Sequence, residues 1–416
     1  MNTNVIWTKG HKVVAFEVFA DKEGKGYNML GQIGYVKYFE DVIDPSVHMD
    51  ITVLDTGGLI NKLPIRSGCI AKIILEHPSQ EEPFAFNAVI TNISGHVIDQ
   101  KREVYTLTCE TPGALSNHTN RCWIKYTGSI AANVSKIINE KIEGEIKSER
   151  LDLTQNTCEF YGNYRRPFKV ISDMCRKAVP STGSFEEGNG GTAGYLFFET
   201  QDGYNFRSID VIFQEEATLT YSMTPFKEGL DVSNNFKLAS IPDMSESHDI
   251  IKKLRSGAFS SSNWYYDVIT RKVHFYNFRS GDSELGNDDD AIPTNYKEPY
   301  SRIILGTIDK GTTMKDADGV DITTPQDQAR YQAQASARYA AMFSQILNIT
   351  VPMNLSLRAG QVINVQFPDL NTGKPEDKNS SESGKYMIAK LSHEFGNTAG
   401  DFTGLSLVRD SFTINE

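Results

Sequence analysis

The stretch Met49-Asp50-Ile51-Thr52-Val53 alternates apolar and polar side chains, which is the period of a strand with one buried face. Asp55-Thr56-Gly57-Gly58 then turns the chain, and Ile65-Arg66-Ser67-Gly68 leads into the apolar run from Ile70 to Leu75. Pro78 ends this run, because proline has no amide hydrogen to donate to a neighbouring strand. The stretch therefore predicts two strands connected through a glycine-bearing turn.

The same order of features occurs again near the end of the chain. Leu347, Ile349 and Val351 alternate with polar residues. The turn Leu357-Arg358-Ala359-Gly360 leads into a second apolar run, 362–367, which Pro368 ends. The repeats of solenoid proteins recur every ~20–50 residues, a much shorter period than this one. We therefore interpret the two copies as related β-modules within one chain.

The two turns share an arginine and a glycine, and we expect these positions to stabilise the turns or an interface. The matched turn positions are Arg66 and Gly68 in the first copy, and Arg358 and Gly360 in the second.

Length and charge limit the possible classes of protein. At 416 residues the chain exceeds one ordinary domain of roughly 100–200 residues, so two or three domains are expected. A net charge of -11 argues against an outer surface that binds nucleic acid, since phosphate neutralisation needs clustered Lys and Arg. The same charge is compatible with an acidic surface that DNA passes without binding. The sequence shows neither a signal peptide nor an apolar run of about 18–20 residues. We expect a chain made in the cytoplasm, without membrane insertion.

The pattern along the chain predicts an α+β protein that is mostly β. Residues 1–112 contain strands and turns and are predicted to form a first antiparallel β-barrel module. Residues 219–244 and 323–416 are predicted to form a second, similar barrel with a connecting helix that begins at Pro325. Residues 113–218 and 245–322 combine hairpin signals with amphipathic helices, one with an apolar stripe from Ser129 onward and one over 250–254 that Ser245 or Ser247 can cap. We interpret these residues as an inserted α+β domain.

Sequence motifs for chemistry are weak. The glycine-rich loop 188–194 precedes an apolar strand and not a helix, so it lacks the setting of a phosphate-binding loop. The aspartates at 316–321 depart from the calcium-loop spacing, and 288–290 is a plain charge run. The five cysteines and eight histidines show no metal-binding spacing. We expect no catalytic residue, no metal and no cofactor.

Three stretches carry a resemblance to a known family. The segment from Tyr195 to Ser208, with Gln201-Asp202-Gly203 at its centre, resembles the middle-domain hairpin of the baseplate central hub proteins of T-even-like contractile-tailed phages. The segment 38–45, followed by 49–63, resembles the opening barrel of these hubs, and the segment 161–180 resembles the helix that follows it. The resemblance is weakest over 280–324. These hubs are related to the hub module of type VI secretion spike proteins.

The resemblance implies a structural virion protein and not an enzyme. Such hubs are homotrimers with two barrels per chain, which together form a pseudo-sixfold ring. One face would dock the hexameric tail tube or tube-initiator proteins, and the other would receive a trimeric cell-puncturing spike. The tape-measure protein is a further candidate partner. DNA would pass through the ring without specific binding, and the protein would reside in the tail baseplate of the virion after assembly in the host cytoplasm.

Two other functions compete with this interpretation. A tail-tip hydrolase needs a separate compact catalytic domain, for which the sequence leaves no room between the two modules. A type VI secretion or tailocin spike usually continues into its own needle, whereas this sequence ends at Glu416, soon after the second module. This favours a hub whose spike is a separate polypeptide.

Overall fold

The structure is a computed structural model. It describes residues 8, 10–20, 24, 26–63, 65–99, 102–181, 191–223, 236–246, 250–257, 259–268, 271–279, 300–308, 325–343, 345–368, 382–396 and 400–409. Several sequence predictions lie outside these residues: positions 188–190 of the glycine-rich loop, the aspartates at 288–290 and 316–321, and the alternative helix cap at Ser247. None of the helices in the described ranges is long and apolar enough to cross a membrane.

Strands dominate the described residues. The strands are β1 (Lys12–Phe19), β2 (Tyr27–Asn28), β3 (Ile33–Asp41), β4 (His48–Asp55), β5 (Ile70–Glu76), β6 (Phe84–Asp99), β7 (Arg102–Glu110), β8 (Lys125–Ser129), β9 (Thr157–Tyr161), β10 (Tyr195–Thr200), β11 (Gly203–Ser208), β12 (Thr220–Ser222), β13 (Asp243–Glu246), β14 (Ser260–Asp267), β15 (Val273–Arg279), β16 (Arg302–Ile308), β17 (Gln345–Pro352), β18 (Val362–Gln366), β19 (Gly384–Gly396) and β20 (Phe402–Val408). The α-helices are α1 (Leu59–Lys62), α2 (Pro112–Thr119), α3 (Ile130–Lys141), α4 (Pro167–Cys175), α5 (Ile209–Gln214), α6 (Ile250–Ser256) and α7 (Pro325–Met342).

One large sheet connects both ends of the chain. Its strand order is β13-β17-β20-β19-β3-β4-β7-β6-β5-β1-β2, with β18 on β19 and β12 on β18. Apolar side chains from both modules, including Ile51, Leu107 and Ile349, form a single core cluster beneath it. The predicted closed barrels are wrong, since no closed barrel forms among the described strands. β3 pairs with β4 on one edge and with β19 on the other, so it has no edge left to close the first module.

The two modules pair their strands in the same order and register. β4, β7, β6 and β5 are consecutive neighbours in the first module, as β17, β20, β19 and β18 are in the second. Met49 is paired with Cys109 as Leu347 is with Leu407. Both long strands also contain a register shift, after Ile90 in β6 and after Ile388 in β19. Residues that occupy the same place in the pairing patterns of the two modules are corresponding positions.

The region between the modules has its own core. The apolar stripe predicted from Ser129 onward forms the buried face of α3, which packs with α4 against the hairpin β10–β11. The hairpin turns at Asp202-Gly203, as the sequence predicts. Ser245, predicted as one of two possible caps for the helix over 250–254, instead lies in β13, whose pairing with β17 keeps it in the large sheet.

All five cysteines are buried, and none of them is in a disulfide. Burial raises the pKa of the Cys109 and Cys158 thiols to about 12. These residues therefore act as small apolar side chains of the cores.

Candidate assembly site

The two repeated turns have the same backbone geometry. Gly68 has φ +96° and Gly360 has φ +82°, in the region that favours glycine. The Gly68 N–H donates to the carbonyl of Ile90 at 2.7 Å, and the Gly360 N–H donates to the carbonyl of Ile388 at 2.8 Å. Each turn is thereby fixed to the corresponding position of its module's long strand.

The two arginines have different surroundings. Arg66 is exposed. The Arg358 guanidinium donates to the carbonyls of Leu355 and Leu357, and it contacts Asp202 Oδ2 at 3.1 Å. Arg358 also donates to the Gln201 side chain. Arg358 therefore connects the second module to the turn of the inserted hairpin, whereas the arginine of the first module faces solvent.

The two glycines provide a matched pair for mutation. Gly68→Ala adds only backbone strain, because no heavy atom lies within 4 Å of the new Cβ. In Gly360→Ala the Cβ would lie 2.6 Å from the ring of Phe198, which is 2% exposed and held by its neighbours. We expect Gly360→Ala to lower the free energy of unfolding by about 1–3 kcal/mol more than Gly68→Ala. Urea unfolding of both variants measures this difference, and equal losses would contradict the packing argument.

A buried carboxylate joins three parts of the chain next to this turn. Glu40 of β3 is 2% exposed. Its carboxylate accepts hydrogen bonds from the Tyr38 hydroxyl at 2.7 Å, the Gln201 N–H at 2.9 Å and the Ala359 N–H at 2.8 Å. Burial raises the pKa of Glu40, while the Arg358 charge and these hydrogen bonds act in the opposite direction. The first module, the hairpin and the second module meet at this one group.

A second buried carboxylate fixes the hairpin to the first module. Glu199 of β10 accepts hydrogen bonds from the Val47 N–H at 3.2 Å and the Thr111 hydroxyl at 2.5 Å. Burial raises the pKa of Glu199 to about 7, and the nearby charge of Glu40 adds to this shift. We refer to Glu40, Glu199, Asp202 and Arg358 as the polar junction.

The outer face of the large sheet is polar. Lys37 contacts Glu394 at 3.3 Å and Lys390 contacts Asp41 at 2.9 Å, so each lysine is matched by a carboxylate across the β3–β19 pairing. Asp50 of β4 and Glu110 of β7 lie on the same face and add negative charge. Among the described residues, no group of three or more His, Cys, Asp and Glu could hold a metal ion.

Similar solved structures define the class to which this fold belongs. The crystal structure of the tail protein from Neisseria meningitidis MC58 aligns with a TM-score of 0.58 and 10% identity, over 97% of this chain and 98% of the other. A 43 kDa tail protein of prophage MuSo2 from Shewanella oneidensis aligns with a TM-score of 0.54 and 10% identity, over 95% of this chain and 98% of the other. No protein-family model matches the chain, and no curated protein matches it.

At 10% identity the likeness concerns the fold alone. The chain shares the fold of these two tail proteins, and the predicted resemblance is confirmed at the level of a tail-protein fold.

Proposed function

We propose that the chain is a structural protein of a contractile-tail baseplate and that three copies form its central hub. The observation that carries the proposal is the presence of two modules with the same strand order and register in one chain. Three chains then present six similar units, while the inserted region occurs only three times. A ring of this kind matches a hexameric tail tube, or its initiator, on one face and a trimeric cell-puncturing spike on the other.

The polar junction supports this proposal, because an adaptor needs its two modules at a fixed relative position. The modules share a sheet through β3 and β19, and Glu40 and Arg358 fix the inserted hairpin against both of them. Joined in this way, the modules resist independent movement.

The outer face of the large sheet is the surface we assign to a central channel for DNA. Asp50 and Glu110 add to a face where both lysines at the β3–β19 pairing already contact carboxylates. A wall with excess negative charge repels phosphates and lets DNA pass without specific binding. The proposal gives the chain no catalytic activity.

The mass of the purified chain in solution tests the proposal. Light scattering should give about 140 kDa, three times the chain mass of 46.5 kDa, and negative-stain images of the same peak should show a ring with six similar lobes. A chain that stays at 46.5 kDa at high concentration, and also after a trimeric spike protein is added, would contradict it.

A further inference from the structure

The chain contains one seam, defined here as the pairing of β19 with β3 between its two modules. Lys390–Gly396 pairs antiparallel with Tyr35–Asp41. Leu391 and Phe395, which are 2% and 3% exposed, pack beneath the seam. Main-chain hydrogen bonding, a buried apolar layer and the two lysine ion pairs thus join the modules.

Each strand of this seam has a counterpart in the other module. β6 corresponds to β19, because Ile90 is paired with Cys109 as Ile388 is with Leu407, and both strands shift register immediately afterwards. β13 corresponds to β3, because Met244 is paired with Leu347 as Tyr38 is with Met49. Module one therefore carries the counterpart of β19, and module two carries the counterpart of β3.

Both counterparts have an edge without a strand partner among the described residues. From Asn92 to Asp99, β6 is paired with β7 only, whereas the equivalent part of β19 is paired on both edges. β13 is paired with β17 only and ends the order of the large sheet. Val97 and Ile98 are 62% and 70% exposed on the open half of β6, where β19 carries the buried Phe395. An exposed apolar edge strand is a template for pairing with another chain.

We propose that β6 of one copy pairs antiparallel with β13 of the next copy, and so repeats the seam between chains. The proposal rests on the ring of the proposed function. The correspondence sets the register, placing Ser94 opposite Ser245 and Ile93 opposite Glu246. Met244 then lies opposite the bulge at Gly95 and His96, where Gly95 has φ +64°, and Asp243 lies opposite Val97. The contact is head-to-tail, and with three copies it gives three seams within chains and three between chains.

Cysteine cross-linking of the full-length chain tests the register. The double variant Ser94→Cys/Ser245→Cys should form covalent dimers and trimers under oxidising conditions and revert with reductant, because directly opposite positions have Cβ atoms about 4.5–5.5 Å apart. The native cysteines are buried and should not form cross-links between chains. The matched control Ser94→Cys/Lys136→Cys, whose second site is exposed on α3, should give no species larger than the monomer.

A charged edge provides a second test that does not depend on disulfide geometry. Val97→Asp/Ile98→Asp should reduce the mass from about 140 kDa to 46.5 kDa without changing the far-ultraviolet circular dichroism. Leu153→Asp is the matched control, since Leu153 is 65% exposed and lies outside the large sheet. It should leave the mass at about 140 kDa.

The results of these experiments distinguish the proposed β6–β13 pairing from the proposed trimeric ring. A wild-type trimer that persists in Val97→Asp/Ile98→Asp, without cross-links in the cysteine pair, overturns the β6–β13 seam and leaves the hub proposal standing. A wild-type chain that is monomeric, even with spike protein, overturns both. Cross-linked species that extend beyond the trimer support the seam but contradict a closed ring of three.

Discussion

Replacing Glu40 with alanine is expected to lower the free energy of unfolding by about 3–5 kcal/mol. The substitution leaves the Tyr38 hydroxyl and the N–H groups of Gln201 and Ala359 without their acceptor. Glu40 is 2% exposed, so water does not readily take its place, and each buried donor left without a partner costs about 1–3 kcal/mol. The shift of the urea midpoint measures the loss.

Two variants serve as controls for Glu40→Ala. Tyr38→Phe removes one donor and leaves the other two hydrogen bonds in place, so it should cost only about 1 kcal/mol. Glu140→Ala, on the exposed face of α3, should change stability by less than about 0.5 kcal/mol. Hydrogen exchange should accelerate at the amides of Gln201 and Ala359 in Glu40→Ala and stay unchanged in α3. If the urea midpoint of Glu40→Ala equalled that of Glu140→Ala, Glu40 would not stabilise the polar junction.

Sequence periodicity predicted which side chains are buried. The alternation around Ile51 and Ile349 gives strands whose apolar faces meet in one core, and the stripe from Ile130 to Ile142 gives the buried face of α3. These predictions succeed because a period of 2 or 3.6 residues depends on local geometry alone.

Periodicity did not predict which strand edges pair. The two sets of strands led to the prediction of two separate barrels, but β3 is paired with β19 from the opposite end of the chain. Lys37 and Glu394 are neighbours there although 357 positions separate them in the sequence. Side-chain alternation sets the buried face of a strand and carries no information about its hydrogen-bonded neighbours.

The candidate site was predicted only in its local part. The glycines at 68 and 360 follow from the repeated turn, whereas the contrast between Arg66 and Arg358 depends on Asp202, which is distant in sequence. Glu40 was missed although a signal exists. It follows Val36 and Tyr38 at a spacing of two and so occupies the buried phase of β3. A carboxylate in that phase needs hydrogen-bond donors from elsewhere in the fold.

Glu199 is expected to make the protein less stable as the pH rises from about 4.5 to 7. The pKa of this carboxyl is about 7 in the folded chain, against an ordinary value of 4.5. Below pH 4.5 the group is protonated in both states and contributes no pH dependence. Between the two values the unfolded chain releases the proton while the folded chain keeps it, which favours unfolding by about 1.4 kcal/mol per pH unit. The total loss is about 3 kcal/mol and is complete above pH 7.

Glu199→Gln isolates this effect because glutamine does not titrate. We expect the free energy of unfolding of Glu199→Gln, relative to wild type, to rise by about 3 kcal/mol between pH 4.5 and 7 and then to level off. Subtracting wild type from the variant at each pH removes most of the contribution of Glu40, whose raised pKa acts with the same sign. Urea midpoints measured across this range supply the curve. A flat curve for Glu199→Gln would mean that the Glu199 carboxyl ionises at the same pH in both states, and that the hairpin it anchors to Val47 and Thr111 opens to water in the folded protein.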